Sequence, residues 1–175
     1  NAYSLVSITN CCMPWGVGIS AWPFSEAINF IMDFGEEKFD LIIFRGVLQY
    51  VPHPKKYIRK AIKLLRRSGL CGGGKLFITA QPNMNALAFR LFGKHLPHPV
   101  TGSDFIGFTE SALTTYLDQI GLKKIGERYF YIETPYADEN EDLLKMARAL
   151  QYKKEGKEID FSAPSYWGNM MTLMY

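Results

Sequence analysis

Three short segments of the sequence carry polar and aromatic side chains that could bind a small ligand. They are residues 45–50 (Arg-Gly-Val-Leu-Gln-Tyr), 81–85 (Gln-Pro-Asn-Met-Asn) and 18–23 (Gly-Ile-Ser-Ala-Trp-Pro). The amides of Asn83 and Asn85 could hydrogen-bond a ligand, although asparagine is also favoured in turns. These residue types indicate binding by hydrogen bonds and stacking.

The titratable residues near these segments include two candidates for proton transfer. His95 and His98 lie in the run Gly-Lys-His-Leu-Pro-His-Pro, and a histidine can act as a base near pH 7. The alternative is that both are exposed loop residues. Tyr50 could order a ligand by hydrogen bonding, and its alternative role is a buried core side chain. No acidic cluster accompanies the histidines, so we expect no metal site.

The segments at 45–50 and 81–85 each follow a predicted strand. The run 39–44 (Phe-Asp-Leu-Ile-Ile-Phe) is apolar in a way typical of a strand covered on both faces, and 75–80 (Lys-Leu-Phe-Ile-Thr-Ala) follows three glycines. Between them, Pro54 and an apolar pattern at i, i+3, i+4 and i+7 predict a helix with Ile58, Ala61, Ile62 and Leu65 on its buried side. A strand, helix and strand in this order form a right-handed βαβ unit. Both polar segments then lie at the carboxyl edge of the sheet, where α/β proteins bind ligands.

The second half of the chain predicts two more helices and two more strands. Thr109 can cap a helix over 110–120, and a glycine follows as its left-handed stop. Strands are predicted around 124–133 and over 169–175. Within 137–157, acidic residues followed by lysines suit a helix dipole, and we expect the buried side of this helix to consist of Leu143, Leu144, Ala147 and Leu150.

The composition is that of one folded domain. The chain has 175 residues, of which 47% are hydrophobic and 21% charged, so it can build a compact core and global disorder is excluded. No run approaches the ~18 consecutive apolar residues of a membrane-spanning helix, and we expect no membrane partner. The three cysteines, Cys11, Cys12 and Cys71, lack the spacing of a disulfide framework or of a zinc site. Free thiols of this kind favour a reducing compartment, the cytoplasm.

The charge pattern gives little support to a nucleic-acid partner. The formal net charge is only +3, although the helix after Pro54 carries a basic face formed by Lys55, Lys56, Arg59, Lys60, Lys63, Arg66 and Arg67. We interpret this face as solvated, because no aromatic side chains interleave it. An RNA-binding accessory protein is the alternative that the basic helix would support.

The run from 39 to 54 resembles the fourth strand and following loop of class I S-adenosylmethionine-dependent methyltransferases. In that family a strand beginning Phe-Asp leads to a polar pair and a proline-bounded turn. Further motifs of the family follow in the same order, namely Leu65-Arg66, Gly73-Gly74, Leu76 to Ala80, Pro82-Asn83, Phe108-Thr109-Glu110 and Ile120-Gly121-Leu122. The run from Trp167 to Met171 is similar to the ending of some bacterial members. The resemblance covers residues 39–175.

This resemblance implies an α/β, Rossmann-like class I methyltransferase sheet with helices on both faces, a single domain over 1–175, and S-adenosylmethionine as the cofactor. By position it implies cofactor contacts from Phe44, Arg45, Gly46 and Val47, and from Ser20, Ala21 and Trp22 in the loop that contacts adenine. Trp22 could stack on the adenine ring or fill the core. The acceptor would then approach residues that could bind it, namely Gln49, Tyr50, Asn83, Asn85, His95 and His98.

The chain departs from the family upstream of residue 39. Family members usually bind the methionine part of the cofactor on a glycine-rich loop after the first strand, and the near match Gly16-Val17-Gly18 lacks a strand-turn-helix context. We therefore expect an N-terminally incomplete fold in which 1–38 is weakly assigned. The expected function is methyl transfer to a small-molecule or sugar-linked acceptor in the bacterial cytoplasm. The alternative is a non-catalytic module that uses the half-sheet as a packing or partner-binding surface.

Overall fold

The computed structural model describes residues 5–9, 21–22, 35–37, 39–67, 73–96, 106–130, 138–164 and 170–175. The strands are β1 (Leu5–Thr9), β2 (Ala21–Trp22), β3 (Leu41–Arg45), β4 (Lys75–Pro82), β5 (Gly126–Phe130) and β6 (Met170–Met174). The helices are α1 (Pro54–Leu64), α2 (Leu87–Phe92), α3 (Glu110–Gln119) and α4 (Glu139–Lys154), with 3₁₀ turns at Leu48–Tyr50 and Gly93–His95. None of these helices is long and apolar enough to cross a membrane.

The six strands form one mixed sheet in the order β2-β1-β3-β4-β6-β5. Strands β2, β1, β3 and β4 are parallel, whereas β6 is antiparallel to both of its neighbours. The α/β fold and the four strands predicted from residue 39 onwards are confirmed. The sequence pattern predicted neither β1 nor β2, and β1 lies directly beside β3, with Thr9 opposite Arg45.

Strand β3 is buried more deeply on one face than on the other. Ile42 and Phe44 are buried, whereas Leu41 and Ile43 are half-buried. The equal burial of both faces that the apolar run predicted is therefore only partly realised. The buried face forms the main core with α1, α3, β4 and β6, through Ile58, Leu64, Leu76, Ile78, Leu113, Leu117, Met171 and Leu173. Each fully buried side chain of this size contributes about 1.5–3 kcal/mol to stability.

The ends of α1 and α3 follow from their local sequences. Pro54 occupies the first turn of α1, where its missing N–H removes no helical hydrogen bond. Beyond the end of α1, Arg66 Nη1 lies 2.9 Å from each carboxylate oxygen of Asp40, which joins the helix to the start of β3. Thr109 Oγ1 accepts a hydrogen bond from the Ala112 N–H at 3.2 Å, so the predicted cap of α3 is confirmed.

Helix α4 buries a different face from the one that the sequence predicts. Leu143, Leu144 and Leu150 are 59%, 73% and 39% exposed. Ala147 is exposed as well. The expected burial of these four residues is therefore wrong, because hydrophobic spacing alone does not determine which neighbours a helix has.

The face of α4 that is packed contains a small side chain. Ala149 lies in a second apolar cluster with Phe92 of α2, and a small residue at a contact lets two helices approach closely. Phe161 meets Phe92 edge-on, with ring centroids 5.9 Å apart. Asp142 is buried near the start of the same helix, where its carboxylate accepts a hydrogen bond from the Asp138 N–H at 3.3 Å.

A polar network joins α3 to β5 and to the end of β6. Lys124 Nζ lies 2.6 Å from Glu110 Oε1 and 2.5 Å from Glu127 Oε2. Thr114 Oγ1 donates to Glu110 Oε1 at 2.7 Å and lies 2.8 Å from the hydroxyl of Tyr175. The hydrogen bond from Lys124 lowers the pKa of the Glu110 carboxyl, and burial raises the pKa of the Tyr175 phenol.

Strand β4 is strained where it passes its parallel pairing with β3. Ala80 has a φ of +51°, in the left-handed region. The register of β4 against β6 shifts between Ile78 and Gln81, which is a β-bulge. A residue with a Cβ costs roughly 1–2 kcal/mol in this region. Ala80 is therefore strained two residues before β4 ends at Pro82.

We expect Lys124→Met to lower the free energy of unfolding by about 0.5–1 kcal/mol at pH 7, the usual value of a partly exposed ion pair. The folded-state pKa of Glu110 lies below its unfolded-state value. The stabilisation is therefore present above the unfolded-state pKa and is lost as the pH falls through the folded-state pKa. Urea denaturation should show that the difference in the free energy of unfolding between the wild-type chain and Lys124→Met is smaller at about pH 3 than at pH 7. Lys56→Met, at an exposed position of α1, is the control. If the loss of stability in Lys124→Met were the same at both pH values, the pairing of Lys124 with Glu110 would be contradicted.

We expect Ala80→Gly to raise the free energy of unfolding by up to about 1 kcal/mol. Glycine adopts a positive φ without a Cβ penalty, and this gain exceeds its extra entropy in the unfolded chain. Urea denaturation measures the change. Ala112→Gly, at an exposed position of α3, is the matched control and should lower stability by about 1 kcal/mol. An equal loss in both variants would show that Ala80 is not strained.

Candidate functional site

Two of the three candidate segments lie side by side at the carboxyl edge of the sheet. The last pair of the β3–β4 ladder is Arg45 opposite Thr79, and the Gly46 N–H donates to the Thr79 carbonyl at 2.9 Å. Residues 45–50 and 81–85 therefore leave adjacent parallel strands in the same direction. The expectation that they share one edge is confirmed.

A third segment, residues 106–108, crosses this edge between the other two. The Ile106 N–H donates to the Gln49 carbonyl at 2.8 Å, and the Met84 N–H donates to the Phe108 carbonyl at 2.9 Å. Asn83 and Phe108 also form an isolated parallel bridge. No pattern in the sequence predicted this pairing, because the segment lies far along the chain and has no strand-like alternation.

The end of β3 and the loop after it present mainly backbone to the edge. Phe44 and Val47 have buried side chains that belong to the main core. A ligand at this loop would therefore meet their backbone groups. Gly46 has a φ of +59°, which favours glycine, while a Cβ there would lie 3.7 Å from the Ala80 carbonyl oxygen, an ordinary contact. Arg45 is exposed.

Gln49 and Tyr50 follow in the 3₁₀ turn, and their burial differs. Tyr50 is half-buried, but Gln49 is 4% exposed, although glutamine is usually a surface residue. Gln81, at the equivalent edge of β4, is 1% exposed. Gln81 belongs to the candidate segment 81–85, but the sequence predicted no individual role for it. An amide in an otherwise apolar strand end was the only signal that could have identified it.

Asn83 and Asn85 form a turn with each other. The Asn85 N–H donates to Asn83 Oδ1 at 3.0 Å, so the Asn83 side chain stabilises the backbone of the loop. Asn83 is buried and Asn85 is exposed. The turn role that the sequence left open for Asn83 is therefore present in the structure, and Asn85 keeps an exposed amide beside the edge.

The remaining candidates lie in other elements of the fold or are not described. His95 is exposed at the end of the second 3₁₀ turn, beyond α2. Ala21 and Trp22 form β2, which is separated from β3 by β1. Ser20 and His98 lie outside the described residues, as does the near match Gly16-Val17-Gly18. The described residues contain no group of histidine, cysteine and carboxylate side chains that could bind a metal ion.

An open groove of about 600 Å³ lies between α1 and α3, next to residues 106–108. Its walls are mostly apolar, with contributions from Ile58, Phe108 and Leu113. At the rim, Lys55 Nζ lies 5.1 Å from the centre of the Tyr116 ring. The groove is lined by neither of the segments 45–50 and 81–85, so it is a separate feature of the surface.

A family match covers one of the two strand ends at this edge, the end of β3. Residues 25–72 match the family model described as a methyltransferase domain. The matched region includes β3, the loop with Gly46 and Gln49, and α1. No curated protein matches the chain.

Solved structures of methyltransferases have the same fold. An S-adenosylmethionine-dependent methyltransferase of Thermotoga maritima is 12% identical, with 99% of this chain and 82% of that chain covered at a TM-score of 0.56. One from Archaeoglobus fulgidus is 9% identical, with 98% and 85% covered at a TM-score of 0.55. At these identities the likeness concerns the fold. The chain thus has the class I S-adenosylmethionine-dependent methyltransferase fold, with residues 25–72 matching the methyltransferase domain family.

Proposed function

We propose that the chain transfers a methyl group from S-adenosylmethionine to a small-molecule or sugar-linked acceptor at the carboxyl edge of β3 and β4. The observation that carries this proposal is the family match over 25–72, which contains β3 and the loop after it. The position agrees with the general rule that ligands of parallel α/β sheets bind beyond the carboxyl ends of the strands.

The loop after β3 suits a cofactor contact made by backbone. Gly46 has left-handed backbone and no side chain, so a ligand can approach its peptide groups closely. Because the Phe44 and Val47 side chains are in the core, these residues would hold a cofactor through their peptide groups, beside the exposed Arg45. Further cofactor contacts would come from Ser20, Ala21 and Trp22, of which the last two form β2. When bound, S-adenosylmethionine supplies an activated methyl group, so the protein needs no nucleophile of its own.

The acceptor side of the proposed site consists of residues that orient rather than react. Gln49, Tyr50 and Asn85 would align the accepting atom with the methyl donor, since alignment is the main contribution that a protein makes to such a displacement. Asn83 supports the loop that carries Asn85 through its turn hydrogen bond. His95, or His98, is the candidate base for an acceptor that must lose a proton.

We expect the chain to bind S-adenosylhomocysteine, and Gly46→Ala to weaken this binding by about tenfold, because a Cβ would intrude where the backbone meets the ligand. Isothermal titration calorimetry measures both affinities. Gly156→Ala is the matched control, since Gly156 has a similar φ of +67°, with open space around it, far from the edge in sequence. Both variants should lose roughly 1 kcal/mol of stability, but only Gly46→Ala should lose affinity.

Two outcomes would count against the proposal. Equal loss of affinity in both variants would mean that general destabilisation, and not the loop after β3, weakens binding. No binding by the chain or by a form extended upstream would favour the non-catalytic module, which keeps the sheet as a packing or partner surface.

A further inference from the structure

Two buried amides at the carboxyl edge of the sheet have atoms without a hydrogen-bond partner. Gln49 is 4% exposed and Gln81 is 1% exposed. Within the part of the chain that the structure describes, Gln49 Oε1 and Gln81 Nε2 are enclosed and make no hydrogen bond. Roughly 90% or more of buried polar groups in proteins are hydrogen-bonded, because an unpaired one costs folding free energy. Folding alone therefore does not explain why these two positions carry amides.

The backbone beside both amides is held in left-handed conformations. Ala80, immediately before Gln81, has a φ of +51°. A Cβ on Gly46 would lie 3.8 Å from Gln49 Nε2 and 3.7 Å from the Ala80 carbonyl oxygen, so the Gln49 amide and the end of β4 flank the same glycine. Backbone strain of the kind seen at Ala80 concentrates at binding sites, where the surrounding structure maintains it. The Gln49 amide and the strained Ala80 thus lie beside the same glycine, and Gln81, with its unpaired Nε2, is the next residue of β4.

We propose that Gln49 and Gln81 bind the methyl acceptor and select a neutral group that both donates and accepts hydrogen bonds, such as a hydroxyl or a carboxamide. This inference rests on the proposed methyl transfer and names the class of acceptor for it. Gln49 Oε1 accepts a hydrogen bond from the ligand, and Gln81 Nε2 donates one to it. The ligand thereby pairs both atoms that the folded chain leaves unpaired.

The hydrogen-bonding capacity of the two atoms excludes ionised groups. An amide oxygen only accepts and an amide nitrogen only donates. A carboxylate also only accepts, so it would leave Gln49 Oε1 unpaired, and an ammonium only donates, so it would leave Gln81 Nε2 unpaired. The only charged residue of segments 45–50 and 81–85 is Arg45, which is exposed. These segments therefore offer no buried charge to offset the desolvation of an ionised acceptor.

Leucine substitutions test whether the amides serve the fold or a ligand. Leucine has a similar volume and needs no hydrogen-bond partner, so Gln49→Leu and Gln81→Leu should each raise the urea midpoint, with a roughly tenfold smaller unfolding constant. Asn83→Leu is the matched control, because Asn83 is buried but its Oδ1 accepts the Asn85 N–H, and its midpoint should fall. A midpoint that falls or stays unchanged in either glutamine variant overturns the proposal.

Benzamide and benzoate, a carboxamide and a carboxylate of the same shape, test the selectivity. With S-adenosylhomocysteine present, benzamide should raise the melting temperature of the wild-type chain, whereas benzoate should not. In Gln81→Leu, about tenfold more benzamide should be needed for the same rise in melting temperature. Equal protection by the two compounds, no protection by benzamide, or an undiminished effect in the variant overturns the proposal. Calorimetry separates this failure from failure of the proposed function, since only the latter predicts that the wild-type chain does not bind S-adenosylhomocysteine.

Discussion

The parallel pairing of β3 with β4 is the constraint on which the rest of the structure depends. Its register, from Leu41 opposite Lys75 to Arg45 opposite Thr79, brings both strands to an end at the same level. The pairing also places Ile42, Phe44, Leu76 and Ile78 in one core, which α1 and α3 cover. Because burial on this face and the hydrogen-bonded ladder specify the same register, a slip by one residue would expose the core side chains. The apolar core around β3 and β4 therefore holds the loops that follow the two strands side by side.

Much of this framework is predictable because its elements are periodic. The strands β3 and β4, the helix α1 and the Thr109 cap of α3 follow from local patterns whose physical basis lies within a few residues. The buried face of α4 does not, because Leu143 and Leu144 satisfy helical spacing as well as Ala149 does. The packing of α4 against α2 decides between them, because Ala149 lies in one apolar cluster with Phe92 and a small residue at such a contact lets two helices approach closely. Strand β2 escaped prediction because it has only two residues, and β1 because Ser7 and Thr9 interrupt its apolar run.

The candidate site is predictable to a different extent. The rule for parallel sheets locates the edge, and the family motif places Gly46 and Gln49 on it. The rule does not identify Gln81, because a glutamine at a strand end looks like an ordinary surface residue in the sequence. Its burial, which only the structure shows, is what distinguishes it. Nor does the rule reveal residues 106–108, which reach the edge through backbone hydrogen bonds that any sequence could make. Local sequence thus predicts where the loops lie, whereas the burial of individual side chains there depends on contacts between segments that are far apart in the chain.

The strain at Ala80 is maintained by the antiparallel strand β6. On one side of the bulge Ile78 lies opposite Leu173, and on the other Gln81 lies opposite Met171. Thr79 Oγ1 and Thr172 Oγ1, 2.9 Å apart, add a side-chain hydrogen bond between the same two strands. A left-handed Ala80 could relax only by breaking these pairings, which bury apolar side chains on both strands. The insertion of β6 between β4 and β5 therefore fixes the backbone from which Gln81 projects, and it couples the last residues of the chain to the edge where a ligand is proposed to bind.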